Sequence, residues 1–131
     1  MIRVKSIYDP ATDDDAFRVL ADPVWPQKVS REKTVLNVWL RDLAPSPGLY
    51  SLYSRGQLGW DTFMVLYHGE LQRNRDFFPD LQDHNHNGGL TLVHGSRTAD
   101  NNPAVALKIF LENDDRASES GMTADVPRVY H

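Results

Sequence analysis

The sequence predicts one domain that contains both strands and helices, an α/β fold. Its 131 residues match the size of a single domain and can bury a substantial core. Short apolar runs bounded by turn residues predict strands, and apolar side chains three or four positions apart predict helices. An apolar fraction of 40%, with three Trp, five Tyr and five Phe, supplies the core.

Two strands are predicted near the amino terminus. The run 2–7 has apolar residues at 2, 4 and 7 around Lys5 and ends at the turn Tyr-Asp-Pro. After an acidic loop, the run FRVL at 17–20 forms the second strand. Pro23 and Pro26 make its continuation irregular, because proline cannot donate to a strand ladder. The segment ADPVWPQK at 21–28 is therefore a loop that leaves a strand.

The centre of the chain contains a third strand and two helices. Ser30 is placed to cap a short helix across 31–35. Residues 36–41 fit the helix and strand periods almost equally, and the abrupt stop at APSPG favours a strand. Ser46 followed by proline begins a helix. After a break at 56–59, a second helix is predicted. Its apolar stripe packs in the core and consists of Trp60, Phe63, Met64, Tyr67 and Leu71.

The last third of the chain is predicted to hold a loop, a strand and a helix. Residues 73–89 are polar and rich in turn residues, and the following LTLVH is a compact apolar strand. Asn101 or Asn102 caps a final helix with Pro103 in its first turn, which runs to about Leu111. The predicted domain spans residues 1–113. Residues 114–131 form a polar tail, part of which we expect to pack against the domain or a neighbouring chain.

The composition excludes several classes of function. The chain has no cysteine, which rules out disulfides, thiolate nucleophiles and thiolate metal ligands and favours a cytoplasmic location. No apolar run approaches the ~20 residues that span a bilayer, and the start of the chain lacks signal-peptide features, so we expect no membrane partner. A net charge of −4 offers no basic surface for a phosphate backbone. We expect no nucleic-acid partner.

Five segments resemble the domain-of-unknown-function 488 family. They are, in order, IYDP at 7–10, FRVLADPVWP at 17–26, WLRDLAPS at 39–46, LTLVHGSR at 90–97 and NNPAVAL at 101–107. Their order and spacing carry the resemblance from about Ile2 to Leu111. It implies a single three-layer α/β domain with a small, mostly parallel sheet flanked by helices. It also implies a polar pocket formed by the loops that follow the strands, and it implies no particular reaction.

One loop departs from the pattern of that family. Where the family reads Asp, Arg, a hydrophobic residue, Trp, Pro, Arg and Gly, this chain has Asp22, Pro23, Val24, Trp25, Pro26, Gln27 and Lys28. Both arginines are absent. A pair of guanidinium groups would bind a carboxylate or phosphate through bidentate hydrogen bonds, whereas Lys28 offers only a flexible point charge.

The strongest candidate site consists of polar and aromatic residues at or just beyond the predicted strand ends. They are Arg18, Asp22, Trp25, Asp42, Ser46, His94 and Arg97. We predict that they bind a small ligand, with an anion as one candidate class. The same region could instead support acid–base catalysis through Asp22 and His94. It could also be architectural, with an Arg18–Asp22 ion pair, a Trp25 plug whose indole N–H meets a carbonyl, and a degenerate site on an oligomeric interaction module.

A second candidate, DHNH at 83–86, has the ligand types of a metal site. Asp83, His84 and His86 could chelate a divalent cation. The segment lies in an Asn- and Gly-rich stretch without fixed geometry, so we interpret it as a solvated turn and assign no metal and no cofactor. The chain contains no GxGxxG, P-loop, GxSxG or HExxH motif. A homodimer is also compatible with the sequence.

Overall fold

A small parallel sheet forms the centre of the fold. The computed structural model describes the backbone of residues 2–120 and the side chains of residues 2–113. In this part of the chain the strands are β1 (Ile2–Ser6), β2 (Phe17–Leu20), β3 (Val38–Trp39) and β4 (Leu90–His94). Their order is β1-β4-β2-β3, and all neighbours are parallel. All carboxyl ends therefore meet at one edge, the carboxyl edge, and the strands start at the opposite, amino edge. The predicted α/β fold is confirmed.

The helices are α1 (Pro47–Ser54), α2 (Trp60–Gln72), α3 (Phe78–His86) and α4 (Pro103–Ser120). Two predicted caps are present: the N–H of Leu49 donates to Ser46 Oγ at 3.4 Å, and the N–H of Val105 donates to Asn102 Oδ1 at 3.1 Å. Helix α4 continues past Leu111 and across the 113/114 boundary to its last residue. The remainder of the predicted tail, 121–131, lies outside the described residues.

Two local predictions are wrong. The segment predicted as a loop at 73–89 contains α3, because Phe78 and Leu81 are buried against the core and stabilise a helix despite its polar composition. The helix predicted after Ser30 does not form. Instead, residues 31–33 make a turn in which the N–H of Lys33 donates to Ser30 Oγ at 3.4 Å. The third strand is also shorter than predicted.

Two apolar clusters cover the two faces of the sheet. On one face, strand residues such as Val19 and Leu92 pack against buried residues from all four helices, among them Phe63 and Tyr67. The stripe predicted on α2 belongs to this cluster, although Trp60 is only half-buried. On the other face, a smaller cluster is covered by the connection between β2 and β3: its members are Ile7, Leu20, Val93, Trp25, Val29, Leu36 and Trp39. The third layer is therefore this irregular connection.

None of the helices in the described part of the chain combines the length and the apolar character that crossing a bilayer requires.

Candidate functional site

Asp22 is a buried carboxylate at the carboxyl edge of the sheet, two residues after β2. Its side chain is 3% exposed. Oδ2 accepts a hydrogen bond from the N–H of Gly95 at 2.7 Å, whereas Oδ1 is buried and has no hydrogen-bond partner among residues 2–113. The backbone carbonyl of Asp22 accepts from Nε1 of Trp39 at 2.7 Å. The loop is thus tied to β3 and β4, and one carboxylate oxygen is left unsatisfied.

The surroundings of Asp22 disfavour its charge. Burial raises its pKa from 3.8 to about 6, and the hydrogen bond from Gly95 opposes only part of that shift. The charge of Asp22 also affects two tyrosines. The pKa of Tyr50 is raised by burial and by Asp22. The pKa of Tyr67 is raised by burial, by Glu70 and by Asp22. A buried carboxyl group with its pKa near neutrality is typical of functional sites.

His94 ends β4 and is also buried, at 3% exposure. The N–H of Ser96 donates to its Nδ1 at 3.1 Å, so this nitrogen has no proton and the neutral ring carries its proton on Nε2. Burial lowers the pKa of His94, and the carboxylate of Asp9 opposes the shift. His94 is therefore a neutral imidazole at pH 7.

Two side-chain hydrogen bonds hold the loop that carries Asp22. Nε1 of Trp25 donates to the carbonyl of Val29 at 2.7 Å, and the hydroxyl of Tyr8 donates to the carbonyl of Gln27 at 3.0 Å. Trp25 is half-buried and packs on the second-face cluster, with its indole N–H on a carbonyl as the architectural interpretation requires. The tryptophan therefore anchors the loop that positions Asp22.

Lys28 adopts a backbone conformation that normally belongs to glycine. Its φ is 62°, in the left-handed region that is costly for residues with a Cβ. At this position the family pattern has glycine. The loop backbone therefore takes the turn for which glycine is suited, although the residues at 23, 27 and 28 differ from that pattern.

Gly95 is required by the close approach of this loop to β4. A Cβ at this position would lie 2.8 Å from Cβ and Cγ of Pro26 and 3.2 Å from Asp22 Oδ2. We expect Gly95→Ala to lower the free energy of unfolding by about 1–3 kcal/mol, because the buried proline ring has no room to move away. Urea denaturation measures this change.

Gly48→Ala is the matched control for that substitution. A Cβ at Gly48, in the first turn of α1, would meet no atom within 4 Å. Alanine should stabilise the helix there by about 0.5–1 kcal/mol. Equal effects of the two alanines would contradict the close approach of the Asp22 loop to β4.

Three further predicted residues surround the carboxyl edge without joining Asp22 in a hydrogen bond. The backbone N–H and Oγ of Ser46 donate to Glu70, at 2.8 and 2.5 Å, so this serine serves to tie α1 to α2. Asp42 is exposed, and its carbonyl accepts from Asn74 at 3.3 Å. Arg97 is exposed in the loop after β4, two residues beyond Gly95.

Arg18 lies near the amino edge and pairs with a different acid from the one anticipated. Its Nη1 contacts Asp15 Oδ2 at 2.5 Å, and its Nε donates to the carbonyl of Val35 at 2.6 Å. The alternative of an Arg18–Asp22 ion pair is wrong, because Asp15 sits beside the start of β2 whereas Asp22 follows its end. Lys5 adds a second cation to Asp15, with Nζ 3.0 Å from Oδ1.

Sequence reasoning missed three residues that the fold makes important: Asp15, Tyr50 and Glu70. Asp15 is the last of three consecutive aspartates, and such a run predicts an exposed loop. In the structure Asp13 and Asp14 are exposed, but Asp15 is buried. The apolar stripe identifies the buried face of α2, but it gives no indication that Glu70 on the same helix binds Ser46. A period of three or four from Ser46 would have marked Tyr50 as a neighbour of the α1 cap.

The histidine segment is helical and is not the solvated turn that the sequence predicts. His84 lies on α3, where its ring stacks on Phe17 with centroids 3.6 Å apart. Residues two positions apart on a helix project to different sides, so the side chains of His84 and His86 point away from each other. Among the described residues, no group of three His, Asp or Glu side chains is placed to hold a metal ion.

A cleft of about 350 Å³ opens at the amino edge, away from Asp22. Its lining residues are Arg3, Asp14, Asn85, Gly88, Gly89 and Leu90. The amide oxygen of Asn85 is buried without a hydrogen-bond partner. None of the seven predicted site residues lines this cleft.

Comparison with known proteins places these features in a family. Residues 1–131 match the family model described as the inactive DUF488-N3 subclade. The chain is 28% identical over 112 residues to the uncharacterized protein YeaO of Escherichia coli K12, covering 86% of this chain and 97% of that protein. It is 33% identical over 70 residues to the uncharacterized protein Rv3073c of Mycobacterium tuberculosis H37Rv, covering 53% of this chain and 59% of that protein. No solved structure matches it. Because the family model covers the whole chain, the protein belongs to the domain-of-unknown-function 488 family, in its inactive N3 subclade.

Proposed function

We propose that this protein binds a small polar ligand at the carboxyl edge without turning it over, and that the ligand donates a hydrogen bond to Asp22 Oδ1. The observation that supports this is the unsatisfied, buried Oδ1 atom. Leaving a buried acceptor without a donor costs about 1–3 kcal/mol, and more when the group is charged. A ligand N–H or O–H at this atom would recover that free energy on binding.

The charges at this edge define the ligand class. With a pKa of about 6, Asp22 is mostly ionised at pH 7 and selects a donor that is neutral or positively charged. Arg97, exposed two residues after Gly95, supplies a cation for an anionic group on the same ligand. We therefore propose a ligand with a donor at one end and a carboxylate or phosphate at the other.

Absence of turnover is supported by the site and by the family. The matching family model is described as inactive, and the loop lacks the two arginines of the family pattern. The Nδ1 lone pair of His94 is already occupied by the Ser96 N–H, so it cannot accept a proton without losing that bond. The competing proposal of acid–base catalysis draws on the shifts that bring the pKa values of Asp22 and His94 towards each other.

A thermal-shift screen of small polar metabolites at pH 7.5 tests the proposal. Compounds that raise the melting temperature of the wild type should fail to do so for Asp22→Asn, because the asparagine amide offers no anionic acceptor. Asp13→Asn, at an exposed aspartate near the amino edge, should behave as wild type.

Two results would contradict the proposal of binding at Asp22 without turnover. One is a set of hits that stabilises Asp22→Asn and wild type equally. The other is chemical conversion of a bound compound, detected by mass spectrometry, which would favour the enzyme. Light scattering on the same samples tests for the homodimer, and fractionation of cells tests the cytoplasmic location that the cysteine-free composition favours.

A further inference from the structure

Two arginines lie over two tryptophans on the sheet face opposite the helices. The guanidinium carbon of Arg31 lies 5.0 Å from the ring centroid of Trp25 and 5.1 Å from that of Trp39. The guanidinium carbon of Arg41 lies 4.3 Å from the same Trp39 ring. All three distances are within the range of cation–π attraction. One indole thus holds both arginines.

The tryptophans are fixed, so the arginines have a rigid support. Each indole N–H donates to a backbone carbonyl, that of Val29 for Trp25 and that of Asp22 for Trp39. The two rings meet edge to face, with centroids 5.3 Å apart. Both also pack on the cluster around Leu20. Stacking on such a support removes much of the rotamer freedom that an exposed arginine has in solution.

These guanidinium groups carry uncompensated charge. The side chains of Arg31 and Arg41 make no ion pair and no hydrogen bond to any of residues 2–113, and the ion pairs of Asp15 are with Lys5 and Arg18. Their sequence neighbours Glu32 and Asp42 are exposed and do not bridge to them. The chain as a whole has a net charge of −4, so this is a positive patch on an acidic protein.

None of the guanidinium N–H groups of Arg31 and Arg41 donates a hydrogen bond to the described residues. A guanidinium that lies over a ring covers its face and directs its N–H groups outwards along its edge, where they suit two oxygens of one oxyanion. Because both guanidinium carbons lie near the same centroid, their separation cannot exceed the sum of their two distances to it. Two positively charged donor groups are therefore held beside one side chain.

We propose that Arg31 and Arg41, held on Trp25 and Trp39, form a binding site for a phosphate group. This site uses none of the groups that bind the ligand at Asp22 Oδ1, so the two proposals can fail separately. The phosphate can be free or part of a phosphate monoester, since both present the same oxygens.

Titration calorimetry at pH 7.5 and constant ionic strength tests the site, with inorganic phosphate and phenyl phosphate as probes. We expect wild type to bind phosphate and Arg31→Gln with Arg41→Gln to lose at least about tenfold in affinity, because two charge-assisted contacts are removed. Tighter binding of phenyl phosphate than of inorganic phosphate would identify a monoester as the ligand, and the reverse would identify the free ion.

Three further variants make the result decisive. Arg55→Gln removes an exposed arginine elsewhere on the surface and should leave binding unchanged. Asp22→Asn should also leave it unchanged, which separates this site from the ligand at Asp22. Arg31→Lys with Arg41→Lys, the lysine variant, keeps the charge but not the bidentate edge, and should bind several-fold more weakly than wild type. The proposal is overturned by wild type that binds neither probe, by equal affinity in the double glutamine variant with an unchanged melting temperature, or by full affinity in the lysine variant.

Discussion

Asp15→Asn is expected to lower the free energy of unfolding at pH 7 by about 3–5 kcal/mol. The carboxylate is 2% exposed and accepts from Arg18, itself 4% exposed, and from Lys5. It also accepts from the N–H and Oγ of Thr12, at 3.2 and 3.0 Å. Its removal leaves a buried guanidinium without a counter-charge, which is the costly way to break a buried ion pair. Chemical denaturation followed by circular dichroism measures the change.

The pH dependence of this effect has a defined direction. Burial alone would raise the pKa of Asp15, but the hydrogen bonds from Lys5, Thr12 and Arg18 outweigh it and lower the pKa from 3.8 to about 2. The resulting stabilisation, about 2 kcal/mol, is present above pH 4 and is lost as the pH falls through 2. The gap between wild type and Asp15→Asn should therefore narrow from pH 4 to pH 2.

Asp13→Asn is the control for Asp15. Asp13 precedes it in the same short 3₁₀ helix and is exposed, so its loss should change stability by less than about 0.5 kcal/mol. If Asp15→Asn lowers the free energy of unfolding no more than Asp13→Asn does, the buried hydrogen-bond network around Asp15 does not stabilise the protein in solution.

Asp22→Asn is expected to do the opposite and stabilise the protein at pH 8. The pKa of about 6 in the fold, against 3.8 for the unfolded residue, corresponds to about 3 kcal/mol that ionisation of Asp22 removes from the folded state. Asparagine keeps an acceptor for the Gly95 N–H and removes the buried charge. We expect a gain of about 2–3 kcal/mol in the free energy of unfolding.

The sign of the Asp22 effect follows from its raised pKa. The folded state prefers the protonated carboxyl group, so its contribution to stability is complete below pH 4 and is lost as the pH rises through 6. The advantage of Asp22→Asn should be small at pH 4, grow up to about pH 7 and then stay constant. An advantage that is the same at pH 4 and pH 8, or a loss at both, would show that the carboxylate has a partner in solution.

Asp15 and Asp22 have opposite effects on stability, which indicates a structural role for Asp15 and a binding role for Asp22. Asp15 stabilises the fold with its charge, whereas Asp22 keeps a charge that destabilises it. A destabilising group that persists in a buried position at the carboxyl edge is what a binding site requires, since activity and stability commonly oppose each other. This difference supports the assignment of Asp22, rather than the Asp15–Arg18 pair, to ligand binding.

The sequence alone was sufficient for the features that depend on near neighbours. The run at 17–20, the cap at Ser46 and the cap at Asn102 each follow from periodicity, side-chain hydrogen bonding or the fixed φ of proline within four residues. Asp22 and His94 could be placed at strand ends for the same reason, because a strand that ends at a known position exposes the next polar residue to the edge of the sheet.

The tertiary structure alone decided which of these residues meet. Arg18 pairs with Asp15, only three residues earlier, but the sheet that joins β1 and β2 through β4 is what brings Lys5 to the same carboxylate. Burial of Phe78 and Leu81 made a helix of a segment whose polar residues predicted a loop. These outcomes depend on contacts between distant parts of the chain, where the free energy of burying apolar surface and pairing charges exceeds the small local propensities that a sequence pattern reports.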